Sequence, residues 1–348
     1  MKIAFFILCL FITCSNSATN ELDALVKERI KESANRFFES NDVLQISVKA
    51  DFKAIRADRD RSTNEYHTAS IEYTDGDDTL NVPVKIKTRG NFRLKEENCD
   101  FPPLRFKFKT RDAINTAFEG QDKLKLVTHC RDTSQTMQET MLREFLVYRL
   151  YNNISERSLR VRLVKVKYID INYGEELNKY GFFIESIEQM AERLGLEEIE
   201  MANLTQEQLI EDNILQVALF NYMIGNTDWS IPKLHNVALL RDERHAPPIA
   251  VPYDFDMSEF VDACYMKVYM GRELIESRYK GKKVSIDALE KAIAHYQAKK
   301  NDLVTTVLEF EPLDLKSRQE CIKLIDSFYH VLADRQAYRK AFIAEAVK

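Results

Sequence analysis

Apolar and polar residues alternate along most of the first half of the chain and take up a helical period along the second. Alternation over Leu44–Lys53, His67–Tyr73, Leu80–Thr88, Leu104–Lys109, Lys123–Thr128, Leu159–Asp170 and Tyr180–Ile187 predicts strands. Asp75-Gly76-Asp77 predicts the turn between the second and third of these. Gln135–Tyr151 interrupts the alternation with Met137, Met141, Leu142, Phe145, Leu146 and Tyr148 on one face, which predicts a helix. Glu21–Ser40 reads as a charged helical arm, and Arg56–Asn64 as a charge-rich loop. Beyond Ile187 a helix ends at Gly195, and Gln206–Ile224 forms an apolar helix with Gly225 where a C-terminal cap belongs. Short strands at Asn236–Leu240 and Ile249–Tyr253 flank a Pro247-Pro248 turn, and Ile286–Lys348 reads as three helices. This order predicts an α+β arrangement in two parts: a β-rich lobe with one internal helix over 19–190, and a helical lobe over 191–348.

The first residues differ from the rest. Lys2, the apolar run Ile3–Ile12 and the small polar residues Thr13–Thr19 predict a secretory signal peptide over residues 1–18. A lipid anchor on Cys14 is the lesser alternative, because Thr13 is a poor residue to precede one. No later apolar run is long enough to span a membrane, so the chain is expected to be exported, periplasmic or extracellular. Cys99, Cys130, Cys264 and Cys321 then lie outside the leader and allow up to two disulfides, with four free thiols as the other possibility. Cys99 precedes the strand at Leu104 and Cys130 follows the strand ending at Thr128. Antiparallel pairing of those strands would join the two cysteines.

Composition narrows the function classes. Of 348 residues, 45% are hydrophobic and 30% charged, with Gly 9 and Pro 8, which excludes collagen-like and low-complexity chains. Fifty Lys+Arg against 55 Asp+Glu give a net charge of −5, which argues against a nucleic-acid partner held by counterion release. No two glycines have the spacing of a G-x-G-x-x-G fingerprint or a Walker A loop. Any nucleotide is held without a glycine-rich cradle.

Candidate chemistry concentrates in Asn221–Asp256, NYMIGNTDWSIPKLHNVALLRDERHAPPIAVPYDFD. A helix stops at Gly225, Asp228 follows on the loop, and a hairpin runs from Asn236 back to Asp254 and Asp256. Phosphoryl transfer uses an aspartate to accept the hydroxyl proton, and an Asn and a second Asp to hold a divalent cation against the phosphates. Asx residues after a helix also serve as caps and turns. Asn236 follows Asp228 by eight positions, where kinase catalytic loops use five. Upstream, Lys125 in a strand precedes the helix carrying Glu139 and Glu144, the order of a phosphate-binding lysine and its glutamate, although an alternating lysine also fits a solvated face.

The segments TRGNFR (Thr88–Arg93), CDFPPLRFKF (Cys99–Phe108), KLKLVTHC (Lys123–Cys130), REFLVYRL (Arg143–Leu150), GFFIES (Gly181–Ser186), IGNTDW (Ile224–Trp229) and VPYDFD (Val251–Asp256) resemble, in order, those of the CotH-like (spore-coat protein H-like) family of secreted atypical kinases. The resemblance spans roughly 80–260. It implies a two-lobed, protein-kinase-like fold with a strand-rich N-lobe, a helical C-lobe and no glycine-rich loop, and phosphoryl transfer from ATP with Mg²⁺ or Mn²⁺ to a protein or glycan acceptor. Residue by residue it implies Asp228 as the catalytic aspartate and Asp254 as a metal ligand, with Asn236 as the second. It places Lys125, Glu144 and Arg89 at the nucleotide phosphates. A non-catalytic binding protein on the same fold is the alternative. His235 reads as structural or as a further ligand, and Trp229 as lining the acceptor site or anchoring its loop.

Overall fold

Each strand of the first half hides one row of side chains and shows the other to solvent. A computed structural model describes residues 25–242, 246–263 and 279–344. The expected leader, Cys14 and Cys264 lie outside the described residues. After a helix over 25–39 (α1), the elements are β1 (Leu44–Ala50), α2 (Phe52–Ala57), β2 (His67–Asp75), β3 (Asp78–Thr88), β4 (Leu104–Phe108), α3 (Thr110–Ala113), β5 (Lys123–Val127), α4 (Gln135–Ile154), β6 (Val161–Asp170) and β7 (Glu176–Ile184). The β2–β3 turn falls where the sequence placed it, with Gly76 at φ 60.

The strands do not form an open sheet. They close in the order β1-β2-β3-β4-β5-β7-β6, with β6 returning to pair with β1. All neighbours are antiparallel except β1 and β6, which run parallel over seven residue pairs, from Leu44↔Val164 to Ala50↔Asp170. This corrects the two-lobed kinase-like fold that the resemblance implied: a closed seven-stranded mixed barrel precedes a helical region, and no sheet N-lobe is present. Closure removes the sheet edges and lets one interior be filled from all sides. Val48, Ile71, Val82, Ile86, Phe106 and Leu124 are each fully buried there. Burial of such side chains stabilises the fold by about 1.5–3 kcal/mol apiece.

The N-terminal helix is more than an arm. Phe37 and Phe38 are both buried in the barrel core, and the Phe37 ring meets Phe118 and Phe183. The expected strand to Lys53 ends instead at Ala50. Asp51 caps the short helix α2 by accepting a hydrogen bond from the Ala54 N–H.

After β7 come α5 (Ile187–Leu194), β8 (Glu197–Ile199), α6 (Glu211–Met223), β9 (Val237–Arg241), β10 (Ile249–Pro252), α7 (Ile286–Leu308), α8 (Leu315–Ala333) and α9 (Arg335–Arg339). A Ser186/Gln189 capping box starts α5, and Gly195 ends it at φ 66. The strands β10, β9 and β8 form a small sheet. The helix α4 belongs to this second core. Its Leu146, Leu150 and Tyr151 pack with Phe220, Phe255 and Tyr296, while the rings of Phe145 and Tyr148 in its middle lie against the barrel's Phe182. It therefore joins barrel to helical region beside the site. The expected bridge is present: Cys99 and Cys130 are disulfide-bonded with Cα atoms 4.8 Å apart, and Phe101 forms an isolated antiparallel bridge with Cys130. No helix among the described residues is long and apolar enough to cross a membrane.

Candidate functional site

The buried helix α6 delivers the loop that carries Asp228. Gly225 adopts φ 65 and ends the helix, and the buried side chain of Asn226 then locks the exit. Its Nδ2 donates to Asn221 Oδ1 at 2.8 Å, and its Oδ1 accepts from the Asp228 N–H at 3.0 Å. Trp229 is buried and anchors the loop in the core rather than lining an opening. Lys280 reaches in from the far side and donates to the carbonyls of Thr227 (2.8 Å) and Trp229 (3.0 Å), so an ammonium group straddles Asp228. Burial lowers the pKa of Lys280, and the charge of Asp228 opposes that shift.

The long spacing between Asp228 and Asn236 is absorbed locally. Ser230 and His235 exchange backbone hydrogen bonds, each 3.0 Å, and pinch the intervening residues into a closed loop. Asn236 is thereby returned to Asp228: its Nδ2 donates to Asp228 Oδ2 at 3.0 Å and to the Asp228 carbonyl at 2.8 Å. His235 Nε2 lies 2.9 Å from Asp228 Oδ1, so it orients the carboxylate. The β9–β10 hairpin then closes with the Tyr253 N–H donating to the Asn236 carbonyl at 3.0 Å, which releases Asp254 beside Asn236. Both Asn236 (φ 54) and Asp254 (φ 58) are in the left-handed region, which Asn and Asp tolerate better than most residues.

The barrel supplies the opposite charge. Arg89 leaves the end of β3, held by its N–H to the Pro103 carbonyl at 2.9 Å, and Lys125 lies on the outer face of β5. Burial lowers the pKa of both. Asp254 opposes the shift at each, while Arg105 reinforces it. Asp254 is open to solvent but walled by protein; desolvation and then Asp256 hold its carboxyl above the usual range, against the pull of Arg93 and Arg89. Arg89 and Lys125 of the barrel thus both lie within the electrostatic reach of Asp254, while Asn236 is hydrogen-bonded to Asp228 on the adjoining loop.

Glu144 has a different partner from the one its order in the chain suggested. It ion-pairs with Arg93 at 2.7 Å, and Arg93 also reaches Asp256 at 2.9 Å. Arg93 favours the Glu144 carboxylate, but full burial outweighs it, with Asp256 and Asp254 repelling as well, and pushes the group up to about 7. The sequence alone does not mark Arg93, Asp256, Tyr148 or Lys280 as site residues. Arg93 and Asp256 lie inside quoted motifs, whereas nothing around Lys280 distinguishes it from the neighbouring lysines.

Asp254 and Asn236 both carry side-chain oxygen atoms, and the Asp254 carboxylate lies in the field of Arg93 and Arg89. Mg²⁺ is commonly held by one or two such groups with the phosphates completing its shell, so these residues fit a nucleotide-bound cation. No group of three His, Cys, Asp or Glu converges on a metal position among the described residues. Compared with known proteins, the chain matches no protein-family model and no curated protein.

Proposed function

We propose that the chain is an exported ATP-dependent phosphotransferase acting on a hydroxyl acceptor. The observation that supports this reading is that Lys125 and Arg89 lie within reach of the Asp254 charge while Asn236 is hydrogen-bonded to Asp228, despite their separation in sequence; on this reading the five residues line one cleft. The two half-buried cations suit the phosphates. A divalent cation bound with ATP would neutralise phosphate charge next to Asp254 and Asn236. Asp228, oriented by His235 and Asn236, takes the proton of the acceptor hydroxyl; the hydroxyl oxygen forms a bond to the terminal phosphorus as the bond to the departing ADP oxygen breaks. Lys280 offsets the negative charge around the loop. The motif resemblance to the CotH-like kinases agrees in the order of these residues, while the barrel departs from the fold of that family.

A non-catalytic phosphate-binding protein is the second reading, favoured by one detail: both Asp228 carboxylate oxygens are already engaged, by His235 and Asn236. Incubation with γ-labelled ATP and Mg²⁺ or Mn²⁺ separates the two. Label transfer to the protein or to an added acceptor, lost in Asp228→Asn with nucleotide binding retained, supports the transferase. Nucleotide binding without any transfer or turnover supports the binding protein.

A further inference from the structure

The outer face of three neighbouring barrel strands carries an unusual concentration of positive charge. In the β3–β4–β5 register, Lys85 faces Lys107 and Lys107 faces Lys123; two positions along, Lys87 faces Arg105 and Arg105 faces Lys125. All six outward positions of this paired stretch are basic. Like charges directly opposite one another disfavour a sheet, so packing gives no reason for the arrangement. Among the described residues, Lys85, Lys87, Arg105, Lys107 and Lys125 form no ion pair, and Lys123 alone meets a carboxylate, Asp122 at 3.3 Å. Tyr66 holds two of the ammonium groups over its ring, Lys87 at 5.1 Å and Lys107 at 5.7 Å. At the Lys125 end of the row Lys87–Arg105–Lys125, the charges acting on Lys125 include Arg89, Arg105 and Asp254.

We propose that this face docks an acidic peptide segment and that the segment brings its hydroxyl residue to the cleft; the second half of that statement rests on the transferase reading above. Three strands span about 10 Å, and the two rows stand about 7 Å apart, which is the distance between alternate side chains of an extended peptide. Acidic side chains at every second position therefore meet successive rows. A duplex nucleic acid or an anionic membrane covers a much wider area. It would press against the rest of a chain whose net charge is −5, including the exposed Asp122 and Glu188 at the edge of the patch.

Fluorescence anisotropy of a labelled peptide of alternating glutamate and serine, with no nucleotide present, tests the docking. Wild type is expected to bind it, and to release it as salt rises from low to physiological strength. The Lys85→Glu/Lys107→Glu variant, altered away from the cleft and at exposed positions, is expected to bind about tenfold more weakly. The milder Lys85→Gln/Lys107→Gln variant, checked for an unchanged melting temperature, is expected to fall between them. Unchanged affinity in both variants overturns the docking surface. So does a wild type that prefers an oligothymidylate or phosphatidylserine vesicles to the peptide. Transfer fails separately: peptide that binds as expected but gains no phosphate with Mg·ATP overturns the transferase reading alone.

Discussion

The backbone N–H of Asp254 donates a 2.9 Å hydrogen bond to the hydroxyl of Tyr148. Tyr148 is buried on α4, so the helix joining barrel to helical region also fixes the left-handed turn that aims the Asp254 carboxylate. Removing the hydroxyl leaves that N–H without its acceptor. Tyr148→Phe is expected to cost about 1–3 kcal/mol of stability, read as a lower urea midpoint, and to weaken nucleotide binding at the same time. A variant as stable as wild type would show that the turn is held by something else.

Glu144 gives a pH signature with a definite sign. An acid whose native pKa is raised binds a proton in the folded state that it has lost in the unfolded one. Its contribution to stability is full below the unfolded pKa and disappears as pH rises to the native value. With Glu144 pushed up to about 7, wild type is expected to lose stability between roughly pH 4.5 and 7 at up to about 1.4 kcal/mol per pH unit from this group. Glu144→Gln removes that slope. Melting curves of both proteins across this range decide the matter: parallel profiles contradict the assignment.

Arg93 is the counter-charge that makes this burial tolerable. Arg93→Met keeps the volume and leaves Glu144 buried without its cation, which is expected to destabilise by up to about 3–5 kcal/mol at pH well above 7, where wild type carries the Glu144 carboxylate. The deficit should widen as pH rises above 7 and shrink below it, where Glu144 is protonated in both proteins. A pH-independent loss would point to packing instead.

The barrel's disulfide offers a test free of the site chemistry. Cys99 and Cys130 are 31 positions apart and both buried, and a cross-link over a loop of that size contributes on the order of 3–4 kcal/mol in the chain-entropy model. Peptide mapping of non-reduced protein should find the pair joined, and Cys99→Ser/Cys130→Ser should melt well below wild type. A free Cys99 in oxidised material would refute it.

The elements were legible where a short window holds the signal. Alternation located each barrel strand to within a few residues, and Gly195 and Gly225 marked helix ends because their positions demand a left-handed backbone. Closure was not legible. It depends on β1 pairing in parallel with β6, some 120 positions downstream, and alternation says which face a strand hides but not which strand lies beside it. The same limit governed the site. Asp228, Asn236 and Asp254 lie within one supersecondary unit, in which Asn236 bonds Asp228 and the Tyr253 N–H bonds the Asn236 carbonyl. The partner of Glu144 comes from the turn after β3, 51 positions away, where several basic residues compete and only the fold selects Arg93.

On the proposed reading, Lys125, Arg89, Asp228, Asn236 and Asp254 form one nucleotide–phosphate site. Thermal unfolding of wild type and Asp254→Ala with millimolar Mg·ATP or Mn·ATP tests it most directly. Ligand at about 100 times its dissociation constant stabilises a folded protein by about 2.7 kcal/mol. The account expects a rise of several degrees in wild type, with either metal, and none in Asp254→Ala. A wild type whose melting temperature is unmoved by millimolar nucleotide and metal, or an Asp254→Ala protein stabilised as much as wild type, would contradict it.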